Sequence, residues 1–495
     1  MHARLTWSWL SFFFLFQNAF AQNILNVGPG RTYANPAQAA AAARPGDTIL
    51  IHPSTYTGSF YIENLKGTAS AWITVRGTNR DQVIFRGGSQ SMHFTDAQYV
   101  RISDLTITQQ TGNGMNIDDG GTPATPAKRV IVENCIFRDM AATGNNDQLK
   151  LSGLDSFVIA NCRFENGATG GSGIDMVGCH AGILRNNYFF NQGSNSIQAK
   201  GGSSQLHITG NEFRNGGQRA VNLGGSTGLA FFRPMNANYE AKDLLVTANL
   251  FDGGITPVAF VGCRNVRVIN NTIIRPQNWI FRILQESSDT SFFVSCANNS
   301  FSNNIVVVSN SLRADVNIGP NTLPGTFTFA NNLWFHLDNA GWRGPQLPVM
   351  ESNGIIQQNP LFKNFNGRDF SLMNNSPAIG KGKYFPDVLF DYAGKAYLQP
   401  PAIGAYESDL IIANEDPSTF AHSGFFPNPA NEFIQIAEPS LYTRIGVYTL
   451  EGRCVKVVKD LKENGRIRIS ELPVGIYLIC LESDSGAQVE RMVKL

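Results

Sequence analysis

The chain has 495 residues and a formal net charge of +1, and only 16% of its residues are charged. Soluble domains carry roughly 25% charged residues on average, so this composition excludes a chain kept disordered by its charge and a strongly basic nucleic-acid-binding surface. The length corresponds to about three average domains, although a solenoid of stacked repeats can be longer than an average domain.

The first 21 residues are expected to be a secretory signal peptide. Arg4 supplies a positive charge, residues 10–16 form an apolar run, and the Ala-Phe-Ala sequence at 19–21 has the small residues of a cleavage site. The alternative is a membrane anchor, but a bilayer span needs roughly 20 apolar residues and this run is shorter. The mature chain is therefore expected to begin at Gln22.

A short helix is predicted near the start of the mature chain. Asn35 is a helix-capping residue, Pro36 suits the first helical position, and a run of alanines follows. A helix there would cover the open edge of the first β-strands, which an exposed sheet requires. The stretch 34–58, "ANPAQAAAAARPGDTILIHPSTYTG", resembles the start of many secreted right-handed β-helix proteins.

The middle of the chain repeats a short pattern in which an apolar strand ends on an aromatic or aliphatic residue. The spacing between successive repeats is 22 to 38 residues, which indicates stacked structural units. A 22-residue unit has no room for a helix of 12 residues beside its strands, so a parallel β-helix is predicted, with coils roughly 4.8 Å apart. The final residues of the repeats are Phe137, Phe164, Phe189, Phe213, Phe251, Ile273, Phe301 and Trp334.

Two positions before each of these residues lies an asparagine or cysteine, which predicts a structural ladder of stacked side chains along the axis. The ladder residues are Cys135, Cys162, Asn187, Asn211, Asn249, Asn271, Asn299 and Asn332.

A second alignment predicts an outward polar face on the strand before each ladder step, because side chains alternate between the two faces of a strand. The first outward column is Asn116, Lys150, Asp175, Gln198, Asn222, Ala259 and Arg282. The second is Asp118, Ser152, Val177, Lys200, Gly224, Val261 and Leu284, and Asp147, Asn195 and Arg219 lie at leading ends of these strands. Two interpretations are open: a sugar-binding groove, or a solvated face in which Lys150 and Asp175 form only a cross-strand ion pair.

The longest spacing, between Phe213 and Phe251, contains an insertion with Arg233 and Tyr239. Long insertions in solenoids form loops on one face, often the binding face. The aromatic residues of this insertion would either stack on sugar rings or pack on the coil below.

The end of the chain contains a predicted second domain. Residues 376–407 resemble the usual close of secreted β-helix proteins, and a polar linker follows. The Pro-Asn-Pro sequence at 427–429, Gly452, the "LPVGIY" sequence at 472–477 and the basic-apolar C-terminus together resemble the C-terminal sorting domain of the type IX secretion system. That resemblance implies export across the outer membrane of a Bacteroidota-type bacterium, whereas the alternating strands alone also fit a generic small β-sandwich.

The polar face could support β-elimination from a uronic acid. This reaction needs a cation or metal that neutralises the carboxylate, a base for the adjacent C5 proton, and an acid for the leaving oxygen. Lys200 is the predicted base, because Arg219 and Lys150 nearby would disfavour its charged form. Arg219 can bind a carboxylate through two nitrogen atoms.

Further roles are predicted around these two catalytic candidates. The oxygen atoms of four residues could hold Ca²⁺: Asn116, Asp118, Asp147 and Asp175. Five residues are predicted to bind substrate: Lys150, Gln198, Asn222, Arg233 and Tyr239.

In these features the sequence resembles the β-helix polysaccharide lyases, notably the alginate and chondroitin B lyases, over residues 24–300. In that family a lysine ends a strand of one coil and an arginine lies on the next. Lys200 matches in type and coil, whereas Arg219 leads its strand and Gly224 occupies the later place. The family's calcium-binding acidic pair one turn before the lysine is missing, since Gly193 and Asn195 lie there.

Two other functions stay open. A glycoside hydrolase needs two carboxylates about 5–10 Å apart, which Asp118 or Asp119 with Asp147 or Asp175 could supply. A non-catalytic carbohydrate-binding protein or adhesin would use the same groove.

The sequence therefore predicts an all-β protein with four segments: a signal peptide (1–21), a right-handed, pectate-lyase-like parallel β-helix (22–407), a linker (408–424) and a small β-sandwich sorting domain (425–495). The expected activity is polysaccharide cleavage, with a lyase favoured. The expected partners are a polysaccharide and the type IX secretion machinery, without nucleic acid, for a secreted or outer-membrane-surface monomer exported through the periplasm.

Overall fold

The computed structural model describes residues 22–408, 424–426, 430–449, 454–459, 465–473, 475–483 and 486–494. The predicted signal peptide, most of the predicted linker, and the motif residues 427–429, Gly452 and Val474 lie outside these residues. By its internal contacts the chain divides into two compact units, residues 1–409 and 410–495. The predicted segment boundaries stay predictions.

The first unit is a parallel β-helix in which each coil adds one strand to each of three long sheets. Sheet A contains the strands Ile24–Val27, Thr48–Ile51, Ile73–Gly77, Gln98–Ser103, Ala127–Glu133, Val158–Ala160, Ile183–Arg185, His207–Thr209, Leu245–Thr247, Arg267–Ile269, Ser300–Ser302 and Thr328–Ala330, with Leu154–Asp155 paired at its side. Sheet B contains Ser54–Thr57, Val83–Arg86, Thr106–Thr108, Ile136–Arg138, Arg163–Glu165, Tyr188–Phe190, Glu212–Arg214, Leu250–Asp252, Thr272–Ile274, Ile305–Val308, Leu333–His336 and Ile355–Ile356.

Sheet C carries the predicted polar face. It contains Phe60–Glu63, Met92–Thr95, Met115–Asp118, Leu149–Ser152, Ser172–Val177, Asn195–Lys200, Arg219–Gly224, Val258–Val261, Phe281–Leu284 and Val316–Ile318. A short parallel sheet at the corner towards sheet A contains Ser203–Ser204, Ala241–Lys242 and Cys263–Arg264, and Phe362–Asn364 pairs antiparallel with Asp369–Leu372.

The predicted N-terminal helix is present. It spans Pro36–Ala42, and the side chain of Asn35 accepts a hydrogen bond from the amide of Gln38 at 3.0 Å. Ala39 is fully buried in the core of the β-helix, so the helix covers the open end of the first coils. Short 3₁₀ helices span Leu229–Phe231, Pro324–Thr326 and Pro439–Leu441. In the described part of the chain, no helix has the length and apolar character that a membrane crossing requires.

The core is a stack of inward side chains from successive coils. Phe137, Phe164, Phe189, Phe213 and Phe251 form a column in which neighbouring ring centroids are 4.7–5.0 Å apart. Each buried ring contributes about 1.5–3 kcal/mol by removing apolar surface from water, so this stack fixes the register of the coils.

The asparagine ladder is present, but one of its members was predicted wrongly. From Asn187 onward, each ladder side chain accepts a hydrogen bond from the backbone amide of the preceding ladder residue, as from Asn211 to Asn249 at 2.9 Å. The sequence alignment was wrong at Asn299 and Phe301, because Asn271 donates to Asn304 and Ile273 pairs with Val306. The stretch "NNSFSNNIV" contains two asparagine turns, and the first of them leads into sheet A.

The left-handed backbone conformation lies one residue before the ladder position, as at Asn186 (φ 56°) and Asn270 (φ 55°). The ladder asparagines are therefore selected for their side-chain hydrogen bonds.

The second unit is a small β-sandwich. One antiparallel sheet contains Phe425–Phe426, Phe433–Ile436 and Arg466–Arg468, and the other contains Arg444–Thr449, Cys454–Lys459, Gly475–Ser483 and Gly486–Lys494. Residues from both sheets, including Ile434, Ile467, Val447 and Ile479, form one buried cluster. The two-sheet arrangement agrees with the predicted domain type.

Candidate functional site

The outward columns predicted on sheet C are present. Asn116, Lys150, Asp175, Gln198 and Asn222 are direct partners on successive parallel strands. The inward residues of these strands are fully buried. Polar side chains from distant parts of the sequence are thus gathered on one face of the β-helix.

Four residues of this face form a lysine–aspartate cluster: Asp147, Lys150, Asp175 and Lys200. The Nζ atom of Lys200 lies 3.3 Å from Oδ2 of Asp175, and the ammonium group of Lys150 contacts the same oxygen atom. The Nζ atom of Lys150 also lies 3.6 Å from Oδ2 of Asp147. Two cations thus share one carboxylate.

In the lysine–aspartate cluster the carboxylates are more deeply buried than the amines. The side chains of Asp147 and Asp175 are 5% and 3% exposed, against 26% for Lys150 and 14% for Lys200. The Oδ1 atom of Asp147 accepts a hydrogen bond from the amide of Ser172 at 2.9 Å, whereas Oδ1 of Asp175 has no partner among the described residues. The amines are therefore the groups that a molecule outside the sheet can reach.

Burial and the neighbouring charges shift the pKa values of two groups of the cluster, Asp147 and Lys150. Burial, and next the negative charge of Asp175, raise the pKa of Asp147 to about 6. Burial lowers the pKa of Lys150, but the carboxylates of Asp175 and Asp147 overcome this effect and the net shift is upward. Lys150 therefore keeps its positive charge near neutral pH.

Arg219 is on the same sheet but at the other end of the strand from Lys200. It pairs with Asn195, five residues before Lys200, a distance of about 16 Å along a strand. Its guanidinium donates to Glu286 at 2.5 Å and to Asn222 at 3.3 Å. The prediction that Arg219 lies close to Lys200 is wrong, and the neighbour of the Lys200 amine is a carboxylate.

The side-chain amides of Gln198 and Asn222 lie between Lys200 and Arg219 on this face. Gln198 lies 3.4 Å from both the Lys200 amine and the Asn195 side-chain nitrogen. Asn222 is buried and its side-chain oxygen accepts from Arg219. Their predicted role in substrate binding stays a prediction.

The insertion after Arg219 forms a loop that is anchored beside Lys200. The carboxylate of Glu240 is fully buried and accepts hydrogen bonds from the amides of Gly201 and Thr227, both at 2.9 Å. A Cβ atom at Gly225 would lie 3.3 Å from Cδ of Lys200 and 2.8 Å from Nε2 of Gln198. Glycine at 225 therefore lets the loop approach the lysine closely.

Arg233 and Phe232 hold this loop in place. The guanidinium of Arg233 binds the carboxylate of Asp155 through two nitrogen atoms, at 2.7 and 2.6 Å, and donates to the carbonyl of Pro123 at 3.1 Å. Phe232 is buried against Phe293. The donors of Arg233 are therefore used within the protein, although the sequence predicted that they bind substrate.

Tyr239, the other predicted contact in the loop, lies under Lys242, whose Nζ atom is 4.7 Å from the ring centroid. Its predicted role in binding stays a prediction.

The four predicted calcium ligands do not surround one point. Asp147 and Asp175 are bridged by the Lys150 ammonium, whereas Asp118 is hydrogen-bonded to His93. Asn116 lies between them and donates to Gln90. Within the described ranges, no group of three or more histidine, cysteine or acidic side chains is arranged for a metal ion. These residues do not fit a single Ca²⁺ site.

Sequence reasoning missed His93. Burial raises the pKa of Asp118, but hydrogen bonds from His93 and the Gly120 amide outweigh it, so the pKa lies below its ordinary value. His93 is the direct partner of Asn116 on the neighbouring strand. Extending the outward column by one coil towards the N-terminus would have found it.

A hollow of about 520 Å³ lies away from this face, beside sheet A. Asp243, Asn265, Arg267, Asn298 and Thr328 are among its lining residues. Arg267 is already paired with Asp387. The hollow lacks the close grouping of amines and carboxylates that marks sheet C.

Two parts of the chain match known families. Residues 65–233 match the family described as a right handed beta helix region, and residues 424–495 match the secretion system C-terminal sorting domain. The first match gives the hand of the β-helix. The second indicates a secreted or cell-surface protein that is handled by the type IX secretion machinery.

One curated protein and several solved structures are similar to this chain. Uncharacterized protein YclG of Bacillus subtilis (strain 168) is 23% identical over 398 residues, and the match covers 68% of this chain and 66%, just under two thirds, of that protein. Among solved structures, pectate lyase Pel9A superposes with a TM-score of 0.52 at 17% identity, covering 78% of this chain and 96% of its own.

An alginate lyase from Paenibacillus sp. str. FPU-7 gives a TM-score of 0.38 at 16% identity, covering 68% of this chain and 99% of its own. At 17% identity and a TM-score of 0.52, the likeness to pectate lyase Pel9A shows the fold alone.

Proposed function

We propose that this protein cleaves an acidic polysaccharide outside the cell by β-elimination, with Lys200 as the base. The observation that carries the proposal is the convergence of the Lys150 and Lys200 amines on the buried carboxylate of Asp175. An amine held at the surface of a polar face can accept a proton from a bound sugar, and a second amine can neutralise the sugar's carboxylate. The name of pectate lyase Pel9A, which superposes with a TM-score of 0.52, agrees with this choice.

The proposed roles follow from the position of each group. Lys150 keeps its charge because of its two carboxylate neighbours, and it lies where it can bind the uronate carboxylate. Lys200 first gives its own proton to solvent, a step that the neighbouring Lys150 ammonium favours and the Asp175 carboxylate opposes, and it then takes the C5 proton of that sugar. The electron pair of the C5–H bond forms the C4–C5 double bond, and the bond from C4 to the leaving oxygen breaks. The protonated Lys200 then returns the proton to that oxygen.

Asp175 and Arg219 have supporting roles in this proposal. Asp175 is a positioning residue, because one of its oxygen atoms contacts both amines from below. The backbone of Arg219 lies about 16 Å along the strands from that of Lys200, and its guanidinium is paired with Glu286. It would bind the carboxylate of another sugar of the same chain.

Hydrolysis is less well supported than elimination. The carboxylates of Asp147 and Asp175 are almost completely buried, and that of Asp118 is engaged by His93. A hydrolase needs one carboxyl group on the glycosidic oxygen and another on a water molecule or the sugar. A non-catalytic binding protein would use the same amines without cleavage.

The test is incubation of the full mature chain with alginate, pectate and glycosaminoglycans, with and without a chelator. Elimination produces an ultraviolet-absorbing unsaturated end on at least one polymer. New reducing ends without that absorbance would identify a hydrolase, and binding without cleavage a non-catalytic protein. Because the predicted calcium ligands do not converge, we expect the chelator to leave the rate unchanged.

A further inference from the structure

The first strand of sheet C presents an exposed aromatic ring in line with the polar face. Tyr61 is the direct partner of His93, which pairs with Asn116 and so continues the column to Lys150. The Tyr61 residue is 60% exposed, and its hydroxyl has no partner among the described residues. Its ring centroid lies 5.6 Å from that of His93, with an angle of 45° between the rings.

Its neighbour Phe60 has a packing role that Tyr61 lacks. The ring of Phe60 points inward and packs edge-on against Phe85 at 5.9 Å. Single exposed aromatic residues are common on protein surfaces. Tyr61 differs from those in its register, because it ends a column of charged and amide side chains.

From this register we infer that Tyr61, with His93 beside it, forms a stacking subsite for a pyranose ring at the N-terminal end of the same groove. The inference rests on the proposed function, since the ring belongs to the polysaccharide that reaches Lys200. The face of a pyranose ring carries C–H groups, which pack on a flat aromatic ring, while its hydroxyl groups reach polar neighbours such as Asn116.

The position of Tyr61 predicts how long an oligosaccharide must be to reach it from Lys200. Five strand-to-strand steps separate Tyr61 from Gln198, a distance of about 24 Å at roughly 4.8 Å per step. By its bond geometry one pyranose unit extends a polysaccharide by about 5 Å, which is close to the strand spacing of roughly 4.8 Å. An oligosaccharide must therefore have about six sugars to contact Tyr61 and Lys200 together.

The test is the affinity of the full mature chain for acidic oligosaccharides of increasing length, with Tyr61→Ala, Tyr61→Phe and Phe190→Ala as variants. Phe190 is a 38% exposed aromatic residue on sheet B and serves as the control. We expect Tyr61→Ala to weaken binding of chains of about six sugars or more about 3- to 10-fold, and to leave trisaccharides unchanged. Tyr61→Phe and Phe190→Ala are expected to bind like the wild type.

Three outcomes would overturn the inference. A loss that is equal at all lengths would show that Tyr61 acts on the fold or on the central site. The absence of any loss would show that the ring is not used. Failure of the wild type to bind any acidic oligosaccharide would overturn this inference and the proposed function together, whereas binding without cleavage would overturn only the proposed elimination.

Discussion

The molecule contains two columns of polar side chains along the same axis, and they differ in how completely their hydrogen bonds are satisfied. In the buried ladder, the amide of Asn249 accepts from Asn211 and donates to Asn271 and to the carbonyls of Ile208 and Thr247. On the outer face, the column changes from amide to lysine to aspartate, and Oδ1 of Asp175 has no partner among the described residues. We therefore interpret the uniform, satisfied column as scaffold and the varied column as the proposed site.

The largest expected effect is the loss of activity in Lys200→Ala. Removal of a general base costs about 10²- to 10⁴-fold in rate, and because the Lys200 side chain is mostly buried against Asp175 we expect a lower melting temperature but a folded protein. The measurement is the elimination rate beside a thermal melt. Lys128→Ala, which removes an exposed lysine of sheet A, should keep the full rate; equal activity in both variants would remove Lys200 from the mechanism.

A substitution in the buried ladder is expected to lower the stability of the protein much more than a substitution on the outer face. Asn249→Leu buries an apolar side chain in the ladder, removes the side-chain acceptor of the Asn211 backbone amide and takes one hydrogen bond from each of two carbonyls, which should cost about 3 kcal/mol or more of unfolding free energy. Denaturant unfolding measures this loss. Gln198→Ala, a comparable change on the outer face, should cost less than about 1 kcal/mol. Similar losses for the two variants would erase the distinction between the columns.

The register of both columns could be predicted because side chains alternate strictly along a strand and coils stack at one spacing. The sequence alignment therefore placed Lys150 beside Asp175, and Gln198 beside Asn222. It went wrong where a turn motif occurs twice, at Asn299. It also could not place Arg219 or Arg233, because a long side chain turns towards whichever carboxylate the fold brings near, here Glu286 and Asp155.

A smaller effect is expected from Asp175→Asn. The change keeps the shape of the side chain but removes the charge that both amines share, so their positions relax. We expect a decrease of about tenfold in kcat, equivalent to about 1.4 kcal/mol, with a smaller change in KM. Asp118→Asn, on the same face but bound to His93, is the matched control. A change confined to KM would show that Asp175 does not position the amines.

The smallest effect is a dependence of affinity on pH. Since the pKa of Asp147 is raised to about 6, its carboxyl is neutral below that pH and the cluster then carries one more net positive charge. Binding of an acidic oligosaccharide should therefore strengthen severalfold between about pH 7 and about pH 5. Calorimetric titrations of wild type and Asp147→Asn measure this. The variant should bind tightly at both pH values, and a parallel slope in both proteins would exclude Asp147 as the cause.

The most direct test of the account is a crystal structure of Lys200→Ala with an acidic oligosaccharide, since this variant should bind the chain without cleaving it. The account predicts a sugar chain along sheet C, with a carboxylate within hydrogen-bond distance of Lys150. A chain bound instead in the hollow beside sheet A, next to Asn265 and Arg267, would contradict it.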